Sequence, residues 1–238
     1  SYDEIFSDVN VSNYIKNEEA LYLYQNVNEF LKAKKTNIIR EKNGVQIRIL
    51  SKKDILEMEP NLAPVFYNGQ LFVGSRHTTN PQEISNKIFE SFINNGGIFH
   101  KKSVKNIFPD DEGVKLNYEE ATHKFDKVVV CAGAWSKVLT KTYGDNFPLD
   151  TERGYHVLFN NYDLINRPIG WSQSGFYLVQ LEEGLRAAGT VEIAGLKKPE
   201  NKKRTKMIEM QARKLLPQLK DVKSTWLGFR PTLPDSLP

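Results

Sequence analysis

The stretch KVVVCAGAWS, Lys127 to Ser136, decides how this chain is read. Val128, Val129, Val130 and Cys131 form an apolar run without alternation. That is the pattern of a strand buried on both faces, as in a parallel sheet covered by helices. Ala132, Gly133 and Ala134 follow, and small residues at the carboxyl end of a buried strand let a flat group approach the backbone. In open α/β sheets that edge is where ligands sit. Trp135 and Ser136 turn the chain into a short helix, with Ser136 as N-cap and Gly144 as stop. Two readings fit these residues equally: a core strand ending in a tight turn, and one wall of a cofactor site.

The 238 residues suffice for one large domain or two small ones with a full core. A composition of 39% hydrophobic and 26% charged residues is that of an ordinary soluble globular protein. The net charge of +4 is small and spread out, and no basic stripe interleaved with aromatics occurs, so nucleic acid is not an expected partner. The one cysteine, Cys131, cannot form an internal disulfide and predicts a reducing, cytoplasmic compartment. No apolar run approaches the ~20 residues that cross a bilayer, and no signal peptide is visible. The chain starts without Met and stops at Pro238 in mid-pattern, which predicts a piece of a longer protein.

Spacing predicts a long helix over Asn10–Lys35 and a hairpin over Ile38–Leu50 turning at Asn43-Gly44. Ser51 to Asp54 resembles a capping box before a short helix ended by Pro60. Asn68–Val73 reads as a strand. Asn80-Pro81-Gln82-Glu83 opens a helix that Asn95-Gly96-Gly97 stops. A strand beginning at Ile98–His100 follows, then a meander of Val104–Phe108, Val114–Tyr118 and Phe125–Cys131. Further on come a strand at Tyr155–Phe159, a hairpin of Phe176–Leu181 with Leu185–Val191, a helix over Asn201–Leu216 and a strand at Val222–Arg230. The order of strands, α/β unit and strands again suggests one domain interrupted by part of another.

No metal site is expected, because His77, His100, His123 and His156 lack a second ligand at helical spacing. No nucleophile elbow, phosphate loop or G-x-G-x-x-G occurs. Three patches remain: CAGAWS, ERGYH at 152–156, and LGFRP at 227–231. An arginine on a rigid strand end, as Arg230 before Pro231, suits bidentate capture of a carboxylate, although a solvated strand-end arginine is commoner. Tyr155 and Tyr177 equally fit plain sheet packing.

Taken together, KVVVCAGAWS, PLDTERGYHVLF (148–159), GLRAAGTVEIAG (184–195) and WLGFRPTLPDSLP (226–238) resemble the successive signatures of the FAD-dependent D-amino-acid oxidase/dehydrogenase superfamily. Glycine oxidase, sarcosine oxidase and the small subunit of D-amino-acid dehydrogenase belong to it. MEPNL at 58–62 and Asn80-Pro81 also fit, whereas Ser1 to Leu50 matches only in layout. The family's glycine-rich turn, which holds the FAD pyrophosphate at a helix N-terminus, is absent, and so is its closing glycine-rich segment. The resemblance therefore implies the middle of such an enzyme, which in isolation should bind FAD poorly.

The implied fold class is α+β with mixed α/β character, an antiparallel or mixed substrate-domain sheet interrupted by part of a Rossmann-like FAD domain. The implied division is residues 1–76 and 144–226 for the substrate domain, 77–143 and 227–238 for the FAD domain. The implied activity is oxidation of the Cα–N bond of a D-amino acid or glycine-like substrate by hydride transfer to flavin. No side chain is assigned as catalytic acid or base. The resemblance makes Arg230 the substrate carboxylate clamp and Tyr177 its helper, with Tyr155 and His156 lining the pocket. It puts the backbone of Val104 at the adenine end of FAD. Cys131, Ala132, Gly133 and Trp135, with Arg230 and Pro231, stand beside the cofactor. An N-methyl amino acid or a 2-hydroxy acid as substrate, and a non-catalytic subunit-interface module, remain open alternatives. So do oxygen or a membrane quinone as electron acceptor, a seat peripheral to the inner membrane, and a homo-oligomer or heteromeric subunit.

Overall fold

Period-two alternation, more than helical spacing, shapes the computed structural model, which describes residues 2–119, 121–172 and 174–235. The last three residues of the final signature, 236–238, lie outside the described ones.

Helix α1 (Tyr2–Asp8) and a 3-10 turn lead into the two-residue strand β1 (Ile15–Lys16) and then β2 (Ala20–Tyr24). Helix α2 (Val27–Lys42), β3 (Ile47–Ser51), α3 (Lys52–Met58), β4 (Asn68–Phe72), β5 (His77–Thr78) and α4 (Pro81–Asn94) follow. Next come the meander β6 (Val104–Asp110), β7 (Gly113–Tyr118) and β8 (Ala121–Phe125), then α5 (Ser136–Tyr143). The chain ends with β9 (Asp150–Phe159), β10 (Ile169–Trp171), β11 (Phe176–Leu181), β12 (Gly184–Ile193), α6 (Lys202–Leu215) and β13 (Val222–Thr232). Eight strands form one mixed sheet in the order β13-β9-β12-β11-β10-β2-β4-β3. Strands β10 and β2 run parallel within it. Two compact units result. One holds the chain through Gly96, Tyr155–Thr190 and Asn201–Trp226; the other holds Gly97–Gly154, Val191–Glu200 and the residues from Leu227 on. Helix α4 thus clusters with the first unit and residues 191–200 with the second.

Several local expectations hold. Ser51 and Asp54 form a reciprocal capping box. Asn80 accepts the Glu83 N–H at 2.9 Å with Pro81 in the first turn. Gly144 ends α5 in the left-handed region.

Others are overturned. Residues 10–35 are not one helix: Leu21 and Leu23 are fully buried on one face of β2 while Tyr22 points to the other. Pairing on both sides, with β10 and β4, fixes that period over the three-and-four spacing. Asn43-Gly44 does not turn a hairpin. The helix α2 runs up to it, and Gly44, at φ +83°, donates its N–H to the Glu41 carbonyl at 3.0 Å. Ile98–His100 is not a strand. The third meander strand is Ala121–Phe125 rather than Phe125–Cys131.

Lys127–Cys131 is likewise not the doubly buried strand its composition suggested. Val128 and Val130 line a cavity of about 440 Å³ with Ile107, Val114 and Tyr143, whereas Val129 is 83% exposed and Cys131 is exposed. An apolar run becomes a central strand only where strands pair on both sides of it, and among the described residues none pairs with this one.

Candidate functional site

The sheet of the first unit has two unlike faces. Leu71, Leu21, Ile169, Leu178 and Ala187 are in register across β4, β2, β10, β11 and β12, and all are fully buried. The next row in register is Gln70, Tyr22, Gly170, Tyr177 and Ala188. Successive residues of a strand point to opposite faces, so this second row makes up the opposite face, on which Tyr177 is 45% exposed.

Gly170 is what allows the tyrosines to meet there. A Cβ at this position would fall 2.3 Å from Tyr22 Cδ2 and 2.7 Å from Tyr177 Cε1. Without one, the two rings lean over the strand with centroids 5.8 Å apart, and Tyr24 stands edge-on to Tyr22 at 5.5 Å. Helix α2 closes the other side. Its Asn37 donates to Gln70 Oε1 at 2.6 Å and accepts from Gln70 Nε2 at 3.3 Å, a buried amide pair tying helix to sheet. The same Asn37 oxygen accepts from Arg40 Nη1 at 3.0 Å, and the Arg40 guanidinium lies 5.2 Å from the centre of the Phe72 ring. Glu29 accepts the Ser172 hydroxyl and the Gln25 N–H. Tyr22, Tyr24, Tyr177, Glu29, Arg40, Phe72 and Ser172 line a cavity of about 470 Å³. Burial pushes the Tyr24 phenol up to about 12 and also raises Tyr22 and Tyr177, with the nearby Arg40 charge pulling all three the other way. All three are therefore neutral hydrogen-bond donors at physiological pH.

A second cavity, about 640 Å³, opens in the same unit, lined by His156, Trp226, Arg186, Leu181 and Glu183, with Asn80 and Glu83 of α4. His156 stacks on Trp226 at 5.1 Å and 20°. Burial, reinforced by the Arg186 charge, lowers its pKa to about 4, so the imidazole is neutral at pH 7. Tyr155 departs from its expected place in a pocket wall. Alternation turns it to the buried face, 1% exposed, where its hydroxyl accepts the Asn201 N–H at the start of α6.

In the second unit, Trp135 meets Phe229 edge-to-face at 5.3 Å, and Cys131 and Gly133 are exposed. Ala132 is half-buried, and Ser136 is the first residue of α5 rather than its cap. Gly133 lies in the left-handed region at φ +54°, with open space where a Cβ would stand. Arg230 is 78% exposed, with Glu152 as its ion-pair partner at 3.8 Å, and Pro231 beside it is exposed. Val104, half-buried, begins β6 at a register irregularity. Arg153, within the ERGYH patch but given no role there, is fully buried and lies 3.4 Å from Glu192. It donates to the Pro199 carbonyl at 2.9 Å and sits 5.8 Å from the Phe229 ring centre. Tyr177 and His156 thus belong to one unit, and Arg230 and the Cys131–Trp135 ledge to the other.

Residues 3–238 match the profile of the family described as FAD dependent oxidoreductase. The chain belongs to this family. A D-amino-acid oxidase of Bradyrhizobium diazoefficiens is 33% identical over 207 residues, covering 84% of this chain and 49% of that protein. A D-amino acid dehydrogenase of Vibrio vulnificus is 24% identical over 232 residues, covering 94% of this chain and 56% of that protein. The chain therefore spans about half the length of the curated relatives it matches. In fold, glycine oxidase from Geobacillus kaustophilus superposes with a TM-score of 0.86 at 19% identity, covering all of this chain and 66% of that one. The mixed α/β architecture with mixed sheets is that of the family. The open ledge at Gly133 fits the close approach of a flat cofactor such as FAD, the family's namesake. A cradle for its pyrophosphate, a glycine-rich turn opening a helix, is absent from these 238 residues.

Proposed function

We propose that this chain is the central part of an FAD-dependent oxidoreductase that oxidises the Cα–N bond of a small D-configured or glycine-like amino acid. The observation that carries the reading is the tyrosine cluster over Gly170, three neutral phenols around a cavity on the open face of the sheet. It supports Tyr177 as the group whose hydroxyl donates to the substrate carboxylate. The family resemblance assigns Arg230, held on β13 and stiffened by Pro231, as the carboxylate clamp. The clamp fixes Cα, and fixing the reacting atom is the protein's main contribution in flavin chemistry. FAD, when bound, would supply the two-electron acceptor for the hydride leaving Cα, and hydrolysis of the imino acid would release the keto acid and ammonia. Cys131, Ala132, Gly133 and Trp135 form the ledge along the cofactor, with the Val104 backbone at its adenine end. On this reading the first unit is the substrate domain and the second the inner part of the cofactor domain. The electron acceptor is oxygen or a membrane quinone.

The test is made on the full-length protein that carries this chain. It should be yellow and release ammonia from D-amino acids. Formaldehyde in place of ammonia would mark an N-methyl substrate, and neither product a 2-hydroxy acid. A colourless protein would leave a non-catalytic subunit as the remaining reading. A charged bidentate contact contributes roughly 1.5–3 kcal/mol. Arg230→Ala should therefore lower kcat/KM by about one to two orders of magnitude. An unchanged value removes Arg230 from the clamp.

A further inference from the structure

The cavity under α2 carries more charge than a glycine-like substrate calls for. Two cations, Arg40 and Lys32, line it against one carboxylate, Glu29. Glu29 is committed, since it accepts from the Ser172 hydroxyl and the Gln25 N–H. Arg40 is not neutralised: among the described residues no carboxylate lies within 4.0 Å of its guanidinium. Yet the guanidinium is fixed, by the Asn37 oxygen at 3.0 Å and by the face of Phe72 at 5.2 Å. Asn37 is itself locked by its buried pairing with Gln70. A cation pre-set by two supports, with donor positions left over, is built to take an anion from outside the chain. The three phenols around the same cavity supply further neutral donors and no competing charge. The volume, about 470 Å³, falls in the range of pockets that enclose ligands well beyond a two-carbon amino acid.

We propose that Arg40 is a specificity-determining residue that binds a carboxylate on the substrate's side chain, so that the enzyme's preferred substrates are acidic amino acids. This rests on the reading above that the cavity is the substrate site. Arg40 takes the distal carboxylate, and the tyrosines lining the same cavity donate to whichever oxygen they reach.

The experiment compares the full-length wild-type protein with Arg40→Met and Arg40→Lys, using D-glutamate and D-alanine as substrates. It also measures binding of glutarate, a dicarboxylate without an amine, by calorimetry. The ratio of kcat/KM for D-glutamate to that for D-alanine should fall about 10- to 100-fold in Arg40→Met and recover in part in Arg40→Lys. Glutarate affinity should fall at least about tenfold in Arg40→Met, with an unchanged circular dichroism spectrum. Turnover with a ratio that does not move overturns the assignment of Arg40 and leaves the oxidoreductase reading standing. Absence of turnover, with glutarate binding that still depends on Arg40, sinks the oxidoreductase reading and keeps the anion site. Failure of the wild-type protein to bind glutarate overturns the anion site itself.

Discussion

His156 offers a test of the site's electrostatics that needs no substrate. The imidazole is stacked on Trp226 and faces Arg186, with Glu83 and Glu183 on the same cavity wall. Burial, and then the Arg186 charge, takes its pKa from 6.5 to about 4. A histidine that resists protonation only when folded makes the unfolded chain the better proton binder between those values. Stability is then complete above pH 6.5 and is lost as pH falls toward 4. At 1.36 kcal/mol per pH unit the ceiling is about 3.4 kcal/mol. The ring is only half-buried, and solvent screening brings the expected effect to on the order of 1 kcal/mol. With a urea slope of about 2–3 kcal/mol/M, this is a midpoint lowered by about 0.3–0.5 M between pH 7 and pH 4.5. His156→Gln should lack that component, so the difference in midpoint between the two proteins should itself change with pH. Proton NMR of the imidazole C–H gives the direct reading, the His156 resonance being the one missing from the variant. It should titrate near pH 4. Titration between pH 6 and 7 would refute the account of its burial.

Substitutions at Gly170, Glu59 and Asn80 test three other parts of the first unit. Gly170→Ala forces Tyr22 and Tyr177 apart; both rings can swing toward solvent, so stability should fall by only about 1 kcal/mol. A displacement of about 1 Å at the phenols should lower kcat/KM roughly 100-fold, measured by steady-state turnover. Glu59, 1% exposed, accepts from Arg167 Nε at 2.9 Å and from the Asn166 N–H at 3.0 Å. Glu59→Ala leaves that arginine without its carboxylate and should cost about 3 kcal/mol by thermal unfolding. Burial raises the Glu59 carboxyl above 4.5. The folded state therefore favours the protonated acid, and stability from this group should decline as pH rises from 4.5, the reverse of His156 and absent in Glu59→Gln. Asn80→Ala removes the cap of α4 and should cost about 1 kcal/mol in chemical denaturation.

Local chemistry was legible wherever one or two residues carry the signal. The Ser51–Asp54 box, the Asn80-Pro81 start and the Gly96 and Gly144 stops each depend on groups within about four residues. Asn43-Gly44 misled because a left-handed glycine serves a helix end and a hairpin turn equally well, and only the run of α2 up to it distinguishes them. Ala20–Tyr24 misled because Leu23, Val27, Phe30 and Leu31 satisfy helical spacing as readily as a strand followed by a helix.

Family and cofactor class were written in four ordered stretches, each short enough to be recognised without knowing what touches what. The composition of Val128–Cys131 records a strand meant for two neighbours, but whether neighbours pair with it is a property of the sheet. The cavity was invisible for the same reason. Tyr22, Asn37, Arg40, Phe72, Gly170 and Tyr177 come from a helix and four strands spread over more than half the chain, and no spacing connects them. Sheet register put the tyrosines over a glycine, and helix packing set a fixed cation beside them, so a substrate-sized space with a sign of charge exists only once the long-range pairings have formed.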